Sequence, residues 1–302
     1  MSIKTNELQV FNAVAPNDCF LVDTDEGTGR VPFSTMVPNS AGAHNSIYRG
    51  KDLSAMTNDE IHNRLQAGDF SEFYIGDYFD RTSTDSIFGE KTMRYRIAGI
   101  NHYIGHGDTA LSKNHLVLVP DSCFGNAQMN ETNTTEGGYV GSKMHTVTLP
   151  EVFNGVNTAF GGYLTTSREL LTNAMNPDLA SMAGAGFTGA SSGWAWTDCG
   201  CRLMSEVEVY GSTVFSSSFY DVGNAKTQLP LFRFRPDMQS MRSFGVWLSA
   251  VTSATNFANV NNNGNANNNN ASNSNGVRPR FLSALNRLRA VCWIRKEDLS
   301  IP

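Results

Sequence analysis

The chain has 302 residues, of which 40% are hydrophobic and 17% charged, with 27 glycines and a net charge of −5; that is enough apolar material for one large core or two modest ones. The low charge and the glycines favour a compact, loop-rich protein over a helical bundle, whose surface would need more Glu and Lys, and the acidic balance offers no clustered Lys/Arg footprint for nucleic acid. No run of about 18 apolar residues would span a membrane, and Met1 to Leu8 is polar without an apolar export core, so the expectation is a protein made in a cytoplasm, without membrane insertion or secretory export.

Residues 1–45 read as short strand-like pieces: Phe20-Leu21-Val22, a turn-rich Asp23–Arg30, then Val31-Pro32-Phe33. The small-residue stretch Pro38–His44 is the expected boundary to a globular domain at 46–282. Thr57–Gly68 predicts a helix, because Thr57 and Glu60 form a capping box, Ile61 and Leu65 share a face, and Gly68 suits the exit. Two strands are expected over Phe70–Phe79 and Met93–Ile104, the second from the alternation of Met93, Tyr95 and Ile97 with Arg94 and Arg96; His115–Pro120 is a third, buried strand. A second helix is expected from Thr148, capped by Glu151, with Val152, Val156 and Phe160 inward. Ser205–Tyr210 reads equally as strand or short helix, and from Gln228 onward the pattern turns to β structure: Leu229–Phe234, Phe244–Val251 and Gly276–Leu282. Two or three helices among many short strands and long loops give an α+β domain.

Between Asn256 and Asn275, twelve of twenty residues are asparagine. Composition alone suggests a disordered polar tract. Its flanks argue otherwise, since Val246-Trp247-Leu248 and Val277–Leu282 would hold both ends in the core, and a loop so anchored is a binding loop more often than a linker. Asparagine amides both donate and accept, which suits an adaptable recognition surface.

The order of several short motifs resembles a family of phage and prophage proteins with a C-type-lectin-like fold, related to the variable proteins of diversity-generating retroelements. The pieces are Ile47–Lys51 (IYRGK), Phe73–Tyr78 (FYIGDY), Gly107–Thr109, Val119–Asp121, Asn126–Asn130 (NAQMN), Gly138–Ser142 (GYVGS), Val209–Gly211 and Gln228–Arg233 (QLPLFR), closed by Val246–Leu248 and Gly276–Pro279 (GVRP). The resemblance implies a small β-rich N-terminal segment for attachment and oligomerisation, a lectin-like domain with a variable region at about 244–282, and a C-terminal extension at 283–302. In that family, adenine-rich codons are the ones exchanged. The resemblance therefore implies that Asn256, Asn259, Asn261, Asn262, Asn263, Asn265, Asn267, Asn268, Asn269, Asn270, Asn273 and Asn275 are the interchangeable ligand-facing positions. Trp247, Val277, Pro279 and Phe281 would hold the scaffold. It further implies a homotrimeric receptor-binding protein of the virion that contacts a host cell-surface protein or glycan and joins other virion proteins through its N-terminal segment. The Asn density and the Arg-bearing extension (Arg287, Arg289, Arg295) depart from the family pattern.

Enzyme readings are weaker. Cys199-Gly-Cys201 lacks the Cys-x-x-Cys spacing of zinc or thioredoxin sites, and only Arg202 lies beside it to activate a thiolate. His102 and His106, with Asp108 and His115, fall in a glycine-containing stretch where an i, i+4 spacing has no ligand geometry, so no metal or other cofactor is expected. Asn130-Glu131-Thr132 and Asn133-Thr134-Thr135 match the glycosylation sequon by chance. Trp194, Trp196, Phe215, Phe219 and Tyr220 fit core packing or loop anchoring better than a sugar groove. The expectation is therefore a non-catalytic virion adhesin; the alternative is a head-decoration or tail protein with the same domain and no host ligand.

Overall fold

A computed structural model describes residues 19–24, 27–32, 40–178, 190–216, 227–241 and 243–284. The N-terminal segment contributes an antiparallel hairpin, β1 (Cys19–Thr24) with β2 (Gly27–Pro32). Its strands reach well into the stretch expected to be turn, leaving only residues 25–26 between them.

The remaining described residues form a mixed α+β arrangement dominated by strands. One five-stranded sheet has the order β3-β4-β5-β14-β9, comprising Tyr78–Asp85, Gly89–Ile100, His115–Pro120, Pro279–Ala284 and Cys201–Leu203. Every adjacent pair in it is antiparallel. A second has the order β12-β11-β10-β13-β6, comprising Ala266–Asn270, Asn256–Val260, Val246–Val251, Ser274–Gly276 and Asn126–Gln128. Strands β7 (Ser167–Met175) and β8 (Ser191–Cys199) pair separately. Five helices complete the described residues: α1 (Ala41–His44), α2 (Asn58–Ala67), α3 (Leu149–Ala159), α4 (Glu206–Tyr210) and α5 (Pro230–Phe234).

Local signals placed some elements directly. Helix α2 carries the expected Thr57–Glu60 capping box, buries Ile61 and Leu65, and ends on Gly68 at φ +69°. Strand β5 spans the expected residues and is buried throughout. The ambiguous 205–210 stretch is helical, because Ser205 and Glu208 cap one another at its start.

Four expectations require correction. Phe70–Phe79 is mostly turn, with β3 beginning only at Tyr78. Its apolar residues are buried because Asp77 folds the segment back: its carboxylate accepts from the amides of Lys51 (2.8 Å) and Tyr74 (2.9 Å) and takes the Arg49 guanidinium at 2.7–3.2 Å. At Gly76 (φ +85°) a Cβ would lie 2.2 Å from the Tyr48 ring, so the IYRGK and FYIGDY motifs are two halves of one packed corner. Helix α3 has no capping box: a π turn, Met144–Thr148, runs into it, Thr148 is already helical, and Glu151 instead accepts from Ser86 Oγ at 2.7 Å. Leu229–Phe234 is a helix started by Pro230 rather than a strand. The last strand runs past the expected boundary at 282 to Ala284; the Arg-bearing remainder of the extension, with Arg287, Arg289 and Arg295, lies outside the described residues. The expected linker ends as α1, whose His44 is buried and bonded through Nδ1 to Phe73 O at 2.7 Å.

Candidate ligand-binding surface

The asparagine tract is not an irregular loop. It forms β11, β12 and β13 of the second sheet, in the register Asn256↔Asn270, Phe257↔Asn269, Ala258↔Asn268, Asn259↔Asn267 and Val260↔Ala266. Apolar residues at intervals make this possible: Phe257, Ala258, Val260 and Ala271 are buried, beside Trp247 and Val277. Trp247 is fully buried and donates its indole N–H to Ala127 O at 2.8 Å, which ties β10 to the NAQMN motif. A three-residue turn closes the hairpin. Gly264 (φ +92°) donates to Asn261 O at 3.0 Å, and Asn261 N donates to Asn265 O at 2.9 Å, the pattern of a turn followed by a glycine bulge.

Strand alternation sorts the twelve asparagines. Asn259 and Asn275 are buried (4% and 5% exposed) and flank Gly245, where a Cβ would lie 2.8 Å from Asn259 Nδ2 and 3.1 Å from Asn275 Oδ1. These two belong to the scaffold and not to the outer surface. Asn261 is half-buried, and its Oδ1 accepts from the amides of Asn263 (2.9 Å) and Asn265 (3.0 Å), shaping the turn. Asn256 donates to Asn268 Oδ1 at 2.6 Å across the strands. Asn269 is a hub: its Oδ1 accepts from Asn273 Nδ2 (2.7 Å) and Asn270 N (3.0 Å), and its Nδ2 donates to Asn275 Oδ1 (3.4 Å).

Six positions remain on the outside. Asn262, Asn263, Asn265, Asn267, Asn270 and Asn273 are exposed, and among them only Asn273 uses its amide in a hydrogen bond to another described residue. They occupy the hairpin turn, the outer strand β12 and the following turn. From Ser243 to Val277 there is no charged residue, so this surface offers amide donors and acceptors and no net electrostatic attraction.

A second polar cluster is charged and buried. Arg202 (β9), Arg280 (β14), Glu169 (β7) and Glu208 (α4) are each at most 2% exposed. Arg202 contacts Glu208 at 2.8 Å and Glu169 at 3.3 Å, while Arg280 contacts Glu208 at 3.3 Å and is also paired with Glu169. Tyr103 donates its hydroxyl to Glu208, and Ser167 Oγ donates to Glu169 at 2.6 Å. Burial pushes the Glu208 carboxyl up, but Arg202 and Arg280 outweigh it and hold it at about 2. The paired carboxylates are thus charge partners of two arginines and are buried away from bulk solvent. Sequence reasoning missed this group because its members are 33 or more residues apart in the chain, except for the pair 202 and 208.

The other residues considered for chemistry fall apart in space or are spent in structure. Among the described residues no three His, Cys, Asp or Glu side chains converge as a metal site. His115 is fully buried in β5, its Nδ1 bonded to Lys113 O (2.9 Å) and its Nε2 accepting from Tyr103 N (3.2 Å), while burial lowers its imidazole to about 4. Cys199 and Cys201 are free, buried thiols beside a cavity of about 250 Å³ lined by His145 and Phe153. Burial pushes Cys199 up to about 12, opposite to the direction that activates a nucleophile. Trp194 and Trp196 lie half-buried on β8 and Phe215 is half-buried; Phe219 and Tyr220 lie outside the described residues. The amide of Asn130 is used internally, donating to Thr134 O at 2.7 Å and accepting from Lys143 N at 2.9 Å. Among the described residues no helix is long and apolar enough to cross a membrane.

No known family model matches the chain, and no curated protein or solved structure matches it.

Proposed function

We propose that this chain is a receptor-binding protein of a bacteriophage particle, built on a C-type-lectin-like domain, whose exposed asparagines contact a host cell-surface protein or glycan. The observation that carries the reading is the separation of roles within the tract. Six exposed amides sit on an ordered hairpin and the turn that follows it, whose register is held by buried Phe257, Val260 and Trp247 and by the internal bonds of Asn261 and Asn269. Side chains there are exchangeable without loss of core packing, as a diversifiable recognition surface requires. The resemblance to retroelement-diversified proteins supports the same assignment, as well as a homotrimer joined to other virion proteins through residues 1–45. Individually weak amide contacts would gain avidity from such valency. Function by contact needs no catalytic group, and the buried thiols and arginine-bound carboxylates suit none.

Binding of the labelled protein to candidate host cells tests this, beside a variant with Asn262, Asn263, Asn265, Asn267, Asn270 and Asn273 changed to Ala. Binding that the variant lacks, with its circular dichroism unchanged, is the expected result. Equal binding by both proteins would place the receptor site elsewhere.

A further inference from the structure

Among the described residues, the outer strand of the asparagine sheet leaves backbone groups unpaired in a pattern that specifies a partner. Asn261 N donates to Asn265 O, so the 261/265 pair is hydrogen-bonded. Antiparallel pairs alternate, which makes 259/267 and 257/269 hydrogen-bonded and turns the N–H and C=O of Ala266, Asn268 and Asn270 outward. Asn270 is satisfied locally, its N–H by Asn269 Oδ1 (3.0 Å) and its C=O by Asn273 N (2.9 Å). At the other end, Gly264 O accepts from the Tyr210 hydroxyl at 3.2 Å. Between these two stops the free edge consists of Ala266 and Asn268.

Natural edge strands are blunted by charge, proline or a bulge within the strand. Strand β12 (ANNNN) has none of these, and among the described residues it lies at the end of its sheet. We propose that β12 pairs antiparallel with β12 of a second copy of this chain, about a two-fold axis at Asn267. In that register Ala266 faces Asn268 of the second copy and Asn268 faces its Ala266. All four outward N–H groups then meet all four outward C=O groups, and an offset of one residue would satisfy none. The axis brings the two Asn267 side chains together as a non-hydrogen-bonded pair. Both amides are exposed and make no hydrogen bond to another described residue, and each carries both a donor and an acceptor for the other. The uncharged stretch Ser243–Val277 lets two acidic chains approach here without local repulsion. The contact is isologous and rests on edge geometry alone, whatever the remaining exposed amides bind.

Sedimentation of the full chain from about 1 µM to about 1 mM tests the contact. The expected result is a concentration-dependent doubling of the smallest assembly present, monomer to dimer or trimer to hexamer, that Asn267→Lys weakens at least about tenfold, because two cations then face each other at the axis. Mixing N267K with N267D should restore it. Cross-linking gives an independent readout: Asn267→Cys should oxidise to a covalent dimer, since the facing Cα atoms would stand about 4.5 Å apart. Asn270→Cys, roughly 20 Å from its counterpart in this register, should not. A wild-type chain that never shows this doubling, an association indifferent to N267K, or N270C cross-linking as readily as N267C would each overturn the proposal.

Discussion

Two polar clusters in this protein solve opposite problems. Between β7, β9, β14 and α4, two arginines and two glutamates are removed from water completely. On the β11–β12 hairpin, neutral amides stay largely in water and bond mainly to one another. The desolvation cost of the first cluster is met only while every member is present, so it is intolerant of change. The second loses little when one member changes, because water replaces the missing partner. Side-chain exchange is therefore tolerated on the hairpin and not in β14, the strand that leaves the tract and enters the first sheet through Arg280.

The sharpest way to break that comparison is to remove one arginine. Arg280→Ala leaves the two buried carboxylates of Glu169 and Glu208 with Arg202 as their one remaining cation and should cost about 3–5 kcal/mol in urea unfolding; a loss under about 1 kcal/mol would mean that the cluster is not sealed. Acid should reach the same region next. His115 stacks on Tyr103 and is held neutral, at about 4 against 6.5 for a free imidazole. Because its folded value is depressed, the unfolded chain takes up the extra proton between those values. Stability is therefore complete above about pH 6.5 and declines as pH falls towards 4, by on the order of 3 kcal/mol from this group. His115→Asn should flatten that part of the pH dependence of the urea midpoint.

On the hairpin the expected effects are smaller. Asn269→Ala removes the hub that bonds Asn270, Asn273 and Asn275, and should lower stability by about 1 kcal/mol. Single changes at the exposed Asn262, Asn263 or Asn265 to Ser or Tyr should stay within about 0.5 kcal/mol in thermal unfolding. If these cost as much as Asn269→Ala, the division between scaffold and exchangeable asparagines would fail.

Several elements were legible because the cause was local. Thr57 with Glu60 and Gly68 delimited α2, and the continuous apolar run HLVLVP marked β5. Reading failed where distant partners decided. Phe70–Asp77 has the composition of a strand, but Asp77 bonded to Arg49 and Lys51 closes it into a turn. Thr148 and Glu151 have the spacing of a capping box, yet a preceding π turn leaves no helix start there to cap.

The asparagine tract divides in the same way. Its composition marked it as exceptional, and its apolar flanks implied that both ends were anchored. Only the tertiary structure decided that Phe257, Val260 and Ala271 would order it into strands, with Asn259 and Asn275 inside and Asn267 at a free edge. A sequence carries the period of a strand and the chemistry of a side chain within a few residues of each other. Which amide faces water, and which carboxylate finds its arginine, depends on register and burial, which are set by residues far away in the chain.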